Sequence, residues 1–148
     1  MGKQILILAG SPRKNGNSAA LGSAFARGAE ESGHQVETVF LRDRKISYCL
    51  ACYHCKNNNG VCIIKDDMGE ILDNMNKADV IVMASPVYFY SVDAQMKAFI
   101  DRTVAQWLTI KNKEFYYIMT SAEESDTVMD CTLECLRGLA KCLKGSVE

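Results

Sequence analysis

The chain has little histidine, no long hydrophobic run and no surplus of one charge. Among 148 residues there are two histidines, and 17 Lys and Arg stand against 18 Asp and Glu, for a formal net charge of −1. Two histidines make a His-rich metal site implausible. The basic residues are scattered rather than gathered into a stripe, which argues against nucleic acid as a partner. The first apolar run, Ile5 to Ala9, is of strand length, too short for a signal-peptide core and far too short to cross a bilayer. The expectation is a cytoplasmic protein with no membrane partner. Neither G-x-x-x-x-G-K-[ST] nor G-x-G-x-x-G occurs, so the triphosphate loop and the dinucleotide fingerprint are absent as motifs. Seven cysteines are an odd number for a disulfide framework, and in a reducing compartment they stay thiols.

What is present alternates between strand and helix signals. Ile5–Ala9 is continuously apolar, as in a strand buried on both faces. Leu21, Ala24, Phe25 and Gly28 recur at helical spacing, and Gly33 is a stop signal. Val36–Leu41 reads as a second strand. Met68–Lys77 reads as a helix capped by Asp66 or Asp67, and Val80–Ala84 as a third strand. Met96, Phe99, Ile100, Val104, Trp107 and Leu108 then fall on one helical face. Phe115–Met119 is a fourth strand, and a last helix spans about 125–143 with Gly145 as terminator. Cys131, Cys135 and Cys142 flank the apolar arc of that helix. This order implies an α/β doubly wound parallel sheet in three α/β/α layers. Residues 1–148 read as one domain, because no linker or repeat divides them. A fifth strand is expected about where the chain stops. Without it the fourth strand becomes an edge with unpaired backbone groups.

The stretch "LAGSPRKNGNS" (8–18) runs from the first strand into a helix. In an open parallel sheet, ligands bind beyond the C-terminal ends of the strands. Helix N-termini attract anions through free N–H groups and the helix dipole. Ser11, Arg13, Asn15, Asn17 and Ser18 add hydroxyls, amides and a cation, which is chemistry for a monophosphate. A solvated turn with Ser18 as a plain cap is the alternative. After the third strand, "SPVYFY" (85–90) places Pro86 where it is expected to shape a turn. Tyr88 and Phe89 follow as flat apolar surface, or as core aromatics at a strand end.

These segments resemble the NAD(P)H-dependent FMN reductases, a branch of the flavodoxin-like superfamily. "GSPRKNGNS" resembles their phosphate loop, "ADVIVMASPVYFYSVDAQMKAFIDR" (78–102) their third strand, flavin loop and helix, and "CIIKDDM" (62–68) a recurring family segment. The resemblance covers nearly the whole chain. It implies a flavodoxin-like domain with FMN as cofactor and NAD(P)H as co-substrate. It further implies a small-molecule electron acceptor and a homodimer with the flavin near its interface. On this resemblance Ser11, Arg13, Asn15, Asn17 and Ser18 bind the FMN phosphate, and Pro86, Val87, Tyr88 and Phe89 contact the ring. Ser121, after the fourth strand in a loop that lacks the family's usual glycines, is on this resemblance a further candidate contact to the cofactor. No general acid or base is expected, because the cofactor carries the chemistry. The Asp101-Arg102 pair, also recurrent in the family, is expected to be structural and to hold the flavin loop.

The stretch from Arg42 to Lys65 lacks periodicity, and loops of that length are usually functional or disordered. It holds Cys49, Cys52, Cys55 and Cys62 at C-x2-C-x2-C-x6-C. Four thiolates so spaced could hold a [4Fe–4S] cluster, and the pattern resembles iron–sulfur flavoproteins. Zinc, a redox thiol pair and plain buried thiols are the other readings. The functional expectations are therefore an FMN-dependent oxidoreductase, an electron carrier of the iron–sulfur flavoprotein type, or a flavodoxin-like module without flavin.

Overall fold

The computed structural model describes residues 2–125 and 127–143 and the backbone of 146–147. In chain order the elements are β1 (Gln4–Ala9), α1 (Asn17–Glu31), β2 (Gln35–Phe40), a single turn α2 (His54–Asn57), α3 (Met68–Lys77) and β3 (Val80–Tyr88). They continue with β4 (Ser91–Val92), α4 (Ala94–Arg102), β5 (Glu114–Thr120), α5 (Asp130–Cys142) and β6 (Ser146–Val147). The main sheet runs β2-β1-β3-β5-β6, all parallel, while β4 folds back antiparallel on the end of β3. This is the doubly wound parallel sheet expected from the alternation and the flavodoxin-like fold that the resemblance implies. The fifth strand is present: Ser146 and Val147 pair with Glu114 and Phe115 at the start of β5. Gly145, expected to end the last helix, lies outside the described residues.

The period-two geometry of a strand sorts the core. Leu6 and Leu8 of β1 join Ile81, Met83 and Phe115 on the face covered by α3, α4 and α5, where Ile71, Met75, Met96, Phe99 and Leu136 are buried. Ile5 and Ile7 join Val80 and Val82 on the opposite face, against Phe25, Ala26 and Ala29 of α1. Each large side chain so buried contributes about 1.5–3 kcal/mol relative to exposure. Gly22 of α1 lies over the sheet, where a Cβ would make an ordinary contact 3.8 Å from Ile7 Cγ2. Leu21, counted on its apolar face from spacing, is instead exposed. Gly33 ends the segment with φ +84°, a left-handed position that suits glycine.

Three further expectations change. The apolar face drawn through Met96 to Leu108 breaks, because α4 stops at Arg102 and residues 103–105 tighten into a 3-10 turn. The Thr103 hydroxyl donates to the Phe99 carbonyl at 3.0 Å there. Val104, Trp107 and Leu108 are exposed as a result. The last helix begins at Asp130, and Cys131 and Cys142 are exposed rather than flanking the core. Cys135 does pack against the core, and burial pushes its thiol pKa up. Pro86 does not turn the chain: it stays in β3, in register with Thr120 of β5. Gly10 N–H donates to the Ala84 carbonyl where β1 ends. By strand alternation the nitrogen of Pro86 faces that same side, one step beyond the last β1 partner, so its missing donor leaves no gap in the ladder.

Gly10 has a steric duty. A Cβ at this position would lie 2.4 Å from Asp93 Oδ2. Gly10→Ala is expected to cost about 1–3 kcal/mol through overpacking, read as a lowered midpoint in urea unfolding. An unchanged midpoint would mean that Asp93 can move aside freely.

Candidate functional site

Because the strands are parallel, the loops leaving β1, β3 and β5 share one end of the sheet. The first runs from Gly10 to Gly16. Ser11 and Ser18 are buried, whereas Arg13, Lys14, Asn15 and Asn17 are exposed. The Ser11 hydroxyl accepts from Arg13 N–H at 3.2 Å and holds the turn. Gly16, the N-cap residue of α1, leaves room beside that hydroxyl, since a Cβ would meet it at 2.8 Å. Helix α1 has no side-chain cap and no acidic residue in its first turn. The amides of residues 17–19 are therefore left without an intrahelical partner beneath two exposed cations. This cradle fits a phosphate.

The second loop is a hairpin. Val87 and Tyr88 pair with Val92 and Ser91, leaving Phe89 and Tyr90 as a two-residue turn. Both have positive φ, +49° and +64°. Such turns favour Asn-Gly, and a non-glycine residue in this region costs on the order of 1–3 kcal/mol. The hairpin presents Tyr88 partly and Phe89 wholly to solvent, at 39% and 100% exposure. Strain and exposed aromatic surface thus coincide beside the phosphate cradle. In the third loop, the Ser121 hydroxyl donates to the Glu123 carbonyl at 2.6 Å. Ser121 therefore spends its proton on shaping its own loop. The Tyr90 hydroxyl lies 3.4 Å from Glu123 Oε2 and links the second loop to the third.

Asp93 joins these parts and escaped the sequence reading. It is fully buried; its Oδ1 accepts from Met96 N–H at 3.0 Å and caps α4, and its Oδ2 accepts from the Ser85 hydroxyl at 3.0 Å. Burial pushes its pKa above the ordinary 3.8, against the opposing effect of these hydrogen bonds. An aspartate just ahead of an apolar helical run was the available signal.

The cysteine loop leaves β2 at the same end but docks lower, against the C-terminal end of α4. Gly60, with φ +80°, would place a Cβ 2.8 Å from the Ala105 carbonyl oxygen. The base of the loop is closed by the two aspartates read above as helix caps. Asp67 accepts from Lys45 N–H at 2.7 Å, and Asp66 accepts from Ser47 N–H at 2.9 Å. Arg102, 2% exposed, grips Asp66 with both terminal nitrogens at 2.8 and 3.0 Å and donates to the Ser47 carbonyl at 2.9 Å. The expectation that this arginine holds the flavin loop is therefore corrected: it holds the cysteine loop. Burial raises the pKa of Asp66, but the hydrogen bonds from Arg102, Ser47 and Met68 outweigh it and keep the pKa below 3.8. Asp101 makes only a surface pair with Lys97. Arg102 Nε is buried with no hydrogen-bond partner among the described residues.

All four loop cysteines are free thiols, and Ala51 N–H points to Cys49 Sγ at 3.4 Å. Among the described residues, no three His, Cys, Asp or Glu side chains converge on a metal-sized centre. The fold thus brings the four cysteines onto one loop without bringing their sulfurs to one point, and Cys52 faces solvent. A groove of about 430 Å³ lined by Phe25, His34, Glu114 and Tyr116 lies at the opposite end of the sheet, away from every loop described above. No described helix is long and apolar enough to cross a membrane.

The pH dependence of Asp93 has a definite sign. Its folded pKa lies above its unfolded value, so its stabilising contribution is complete below pH 3.8 and is lost as pH rises through the folded pKa. Unfolding free energies of wild type and Asp93→Asn should diverge across that window, with the wild type losing ground as pH rises. A pH-independent difference would contradict the burial of a proton-binding carboxyl here.

Residues 4–129 match a family model described as NADPH-dependent FMN reductase. An iron–sulfur flavoprotein of Archaeoglobus fulgidus is 44% identical over 93 residues, covering 63% of this chain and 42% of that one. An iron–sulfur flavoprotein of Methanosarcina thermophila is 40% identical over 101 residues, covering 68% and 52%. The chain spans about half the length of these curated relatives. Among solved structures, an NADH:FMN oxidoreductase in its apo form superposes with a TM-score of 0.71 at 20% identity, covering 98% of this chain and 71% of that one. An NAD(P)H:quinone oxidoreductase from Methanothermobacter marburgensis gives a TM-score of 0.75 at 17% identity, covering 100% and 83%. At such identities these two likenesses concern the fold.

Proposed function

The chain belongs to the NADPH-dependent FMN reductase family, and from that premise we propose that it is an FMN-dependent oxidoreductase drawing electrons from NAD(P)H. The observation that carries the reading is the uncapped start of α1. Its amides, the buried Ser11 and Ser18 hydroxyls and the exposed Arg13 form an anion cradle at the C-terminal end of a parallel sheet. Bound FMN would supply hydride and one-electron chemistry. The chain's own part is to fix the phosphate and to wall the ring with Pro86, Val87, Tyr88 and Phe89 against the β3–β4 hairpin. Asn15 and Asn17 add neutral polar contacts at the rim, and Ser121 shapes the third side. A small-molecule acceptor would enter over the exposed aromatic hairpin. A second copy of the chain is the partner favoured by the exposed Val61, Ile63, Val104, Trp107 and Leu108 near the Gly60–Ala105 contact. Sedimentation of the purified protein decides that point: a strict monomer at micromolar concentration removes it.

FMN titration followed by flavin fluorescence tests the cradle. Loss of a hydrogen bond to a charged group costs about 1.5–3 kcal/mol. Ser11→Ala and Arg13→Ala should therefore each weaken FMN binding by roughly ten- to a hundredfold. Binding at wild-type strength in both variants, or no uptake by the wild type at millimolar FMN, refutes the reading.

A second reading has its own support, in the four free thiols of the cysteine loop and in the naming of relatives as iron–sulfur flavoproteins. On this reading the loop carries a [4Fe–4S] cluster held by Cys49, Cys52, Cys55 and Cys62, and the protein trades single electrons with a redox partner. Cluster binding would draw Cys52 inward. Anaerobic reconstitution with iron and sulfide should then give about four irons per chain with broad visible absorption. Cys52→Ser should abolish both while leaving FMN uptake intact. Absence of iron uptake by the wild type leaves the flavin-only reductase standing.

A further inference from the structure

The ligand end of the sheet carries opposite charges on its two rims. Arg13 and Lys14 stand exposed on the β1–α1 loop, and Glu123 and Glu124 stand exposed on the loop after β5. The hairpin between them, Val87 to Val92, carries no charge. The hairpin and the third loop leave the sheet side by side, since Pro86 of β3 is in register with Thr120 of β5. The two glutamates differ in how they are held. Glu123 is tied twice: its carbonyl accepts from the Ser121 hydroxyl at 2.6 Å, and its Oε2 accepts from the Tyr90 hydroxyl at 3.4 Å. The second contact holds one carboxylate against the turn that exposes Phe89. A phosphate in the cradle would neutralise the cationic rim and leave the acidic rim standing.

We infer, on the FMN oxidoreductase reading, that Glu123 is a specificity-determining residue that selects uncharged electron acceptors over anionic ones. An acceptor that reaches the ring over the hairpin passes the Glu123 carboxylate, and like charge at short range discriminates against an anion. Tyr90 gives that charge a fixed place at the entrance instead of leaving it to swing in solvent. A quinone serves as the probe acceptor. It takes two electrons and two protons to become the hydroquinone. NAD(P)H supplies both electrons and one proton as hydride, and the solvent supplies the other proton.

Naphthoquinone and naphthoquinone sulfonate form a matched pair, sharing a ring system and differing by one negative charge. Two ratios are measured on the FMN-loaded protein. One compares dissociation constants, read without turnover from the perturbed spectrum of the oxidised flavin. The other compares kcat/KM with NAD(P)H as donor. Each ratio is internal to one variant, so a change in flavin content or stability cancels. The preference for the neutral quinone should fall about threefold in Glu123→Gln and about tenfold in Glu123→Lys at low ionic strength. The fall should shrink at about 1 M salt, where the Debye length is about 3 Å. Glu124→Gln removes the same charge without the Tyr90 tether and should move the ratio less. An unchanged ratio in both Glu123 variants overturns the inference. So does an equal fall in Glu124→Gln, which would make the preference a matter of net charge. Flavin that binds but takes no electrons from NAD(P)H removes the reductase reading, while the binding ratio still decides the role of Glu123. A protein that takes up no FMN removes both.

Discussion

A carboxylate with no exposed surface underlies the whole ligand end of this molecule. Asp93 stands where three segments leave the sheet, beneath Gly10 at the exit of β1, bonded to Ser85 in β3 and capping α4. A buried carboxyl group with no cation among its hydrogen-bond partners is costly unless its lone pairs are filled. Here they are filled by two donors whose positions matter most to a ligand. The residue that would destabilise an isolated core thereby fixes the mutual position of the β1–α1 loop and the aromatic hairpin. Gly10 follows from it, since nothing larger fits against the carboxylate.

The same end of the sheet holds conformational cost in the open. The β3–β4 turn is made of phenylalanine and tyrosine where glycine and asparagine would relax it. The flanking strand pairs and the Tyr90–Glu123 contact over-determine the turn, which lets it persist. Ser11 and Gly16 make a comparable trade on the other side, a buried hydroxyl spent on shaping a loop whose helix amides stay free. Under the proposed function these costs produce a site pre-organised for a planar, anionic ligand, so that binding need not order the loops first.

Much of this was legible in residues 1–41 and 68–120. Short continuous apolar runs bounded by turn signals suit strands buried on both faces, and a polar, glycine-containing loop between strand and helix has few uses there. The errors share a cause: local pattern stood in for long-range pairing. Leu108 and Leu21 obey helical spacing, but α4 gives way to a 3-10 turn after Arg102, and α1 turns Ser18, Ala19, Gly22, Phe25, Ala26 and Ala29 toward the sheet and leaves Leu21 outside. Pro86 suggested a turn because its ladder partner, already ended at Ala9, was not visible in the sequence. The two-residue β4 carries too little pattern to register. Asp67 is the N-cap residue of α3 as read, and Asp66 accepts from Met68 N–H at 3.2 Å, but its partners Ser47 and Arg102 lie 19 and 36 residues away and were not legible. The cysteine motif gave donors and spacing, but neither the docking of its loop nor the Arg102–Asp66 pair that closes it is a property of spacing.

Helix α4 connects the two halves of the argument. It spans nine residues, roughly 14 Å of rise. Its N-cap is the carboxylate that sets the phosphate and aromatic loops, and its last residue is the arginine that closes the cysteine loop. Its inward face, Met96 and Phe99, is wholly buried, so it cannot shift along its axis without opening the core. A rigid rod anchored by a buried carboxyl group at one end and a buried guanidinium at the other fixes the separation of the two loops it holds. The two buried titratable side chains at its ends, Asp93 and Arg102, are the two that carry this spacing. Their burial is hard to explain by stability alone, since apolar residues of similar volume would serve the core as well.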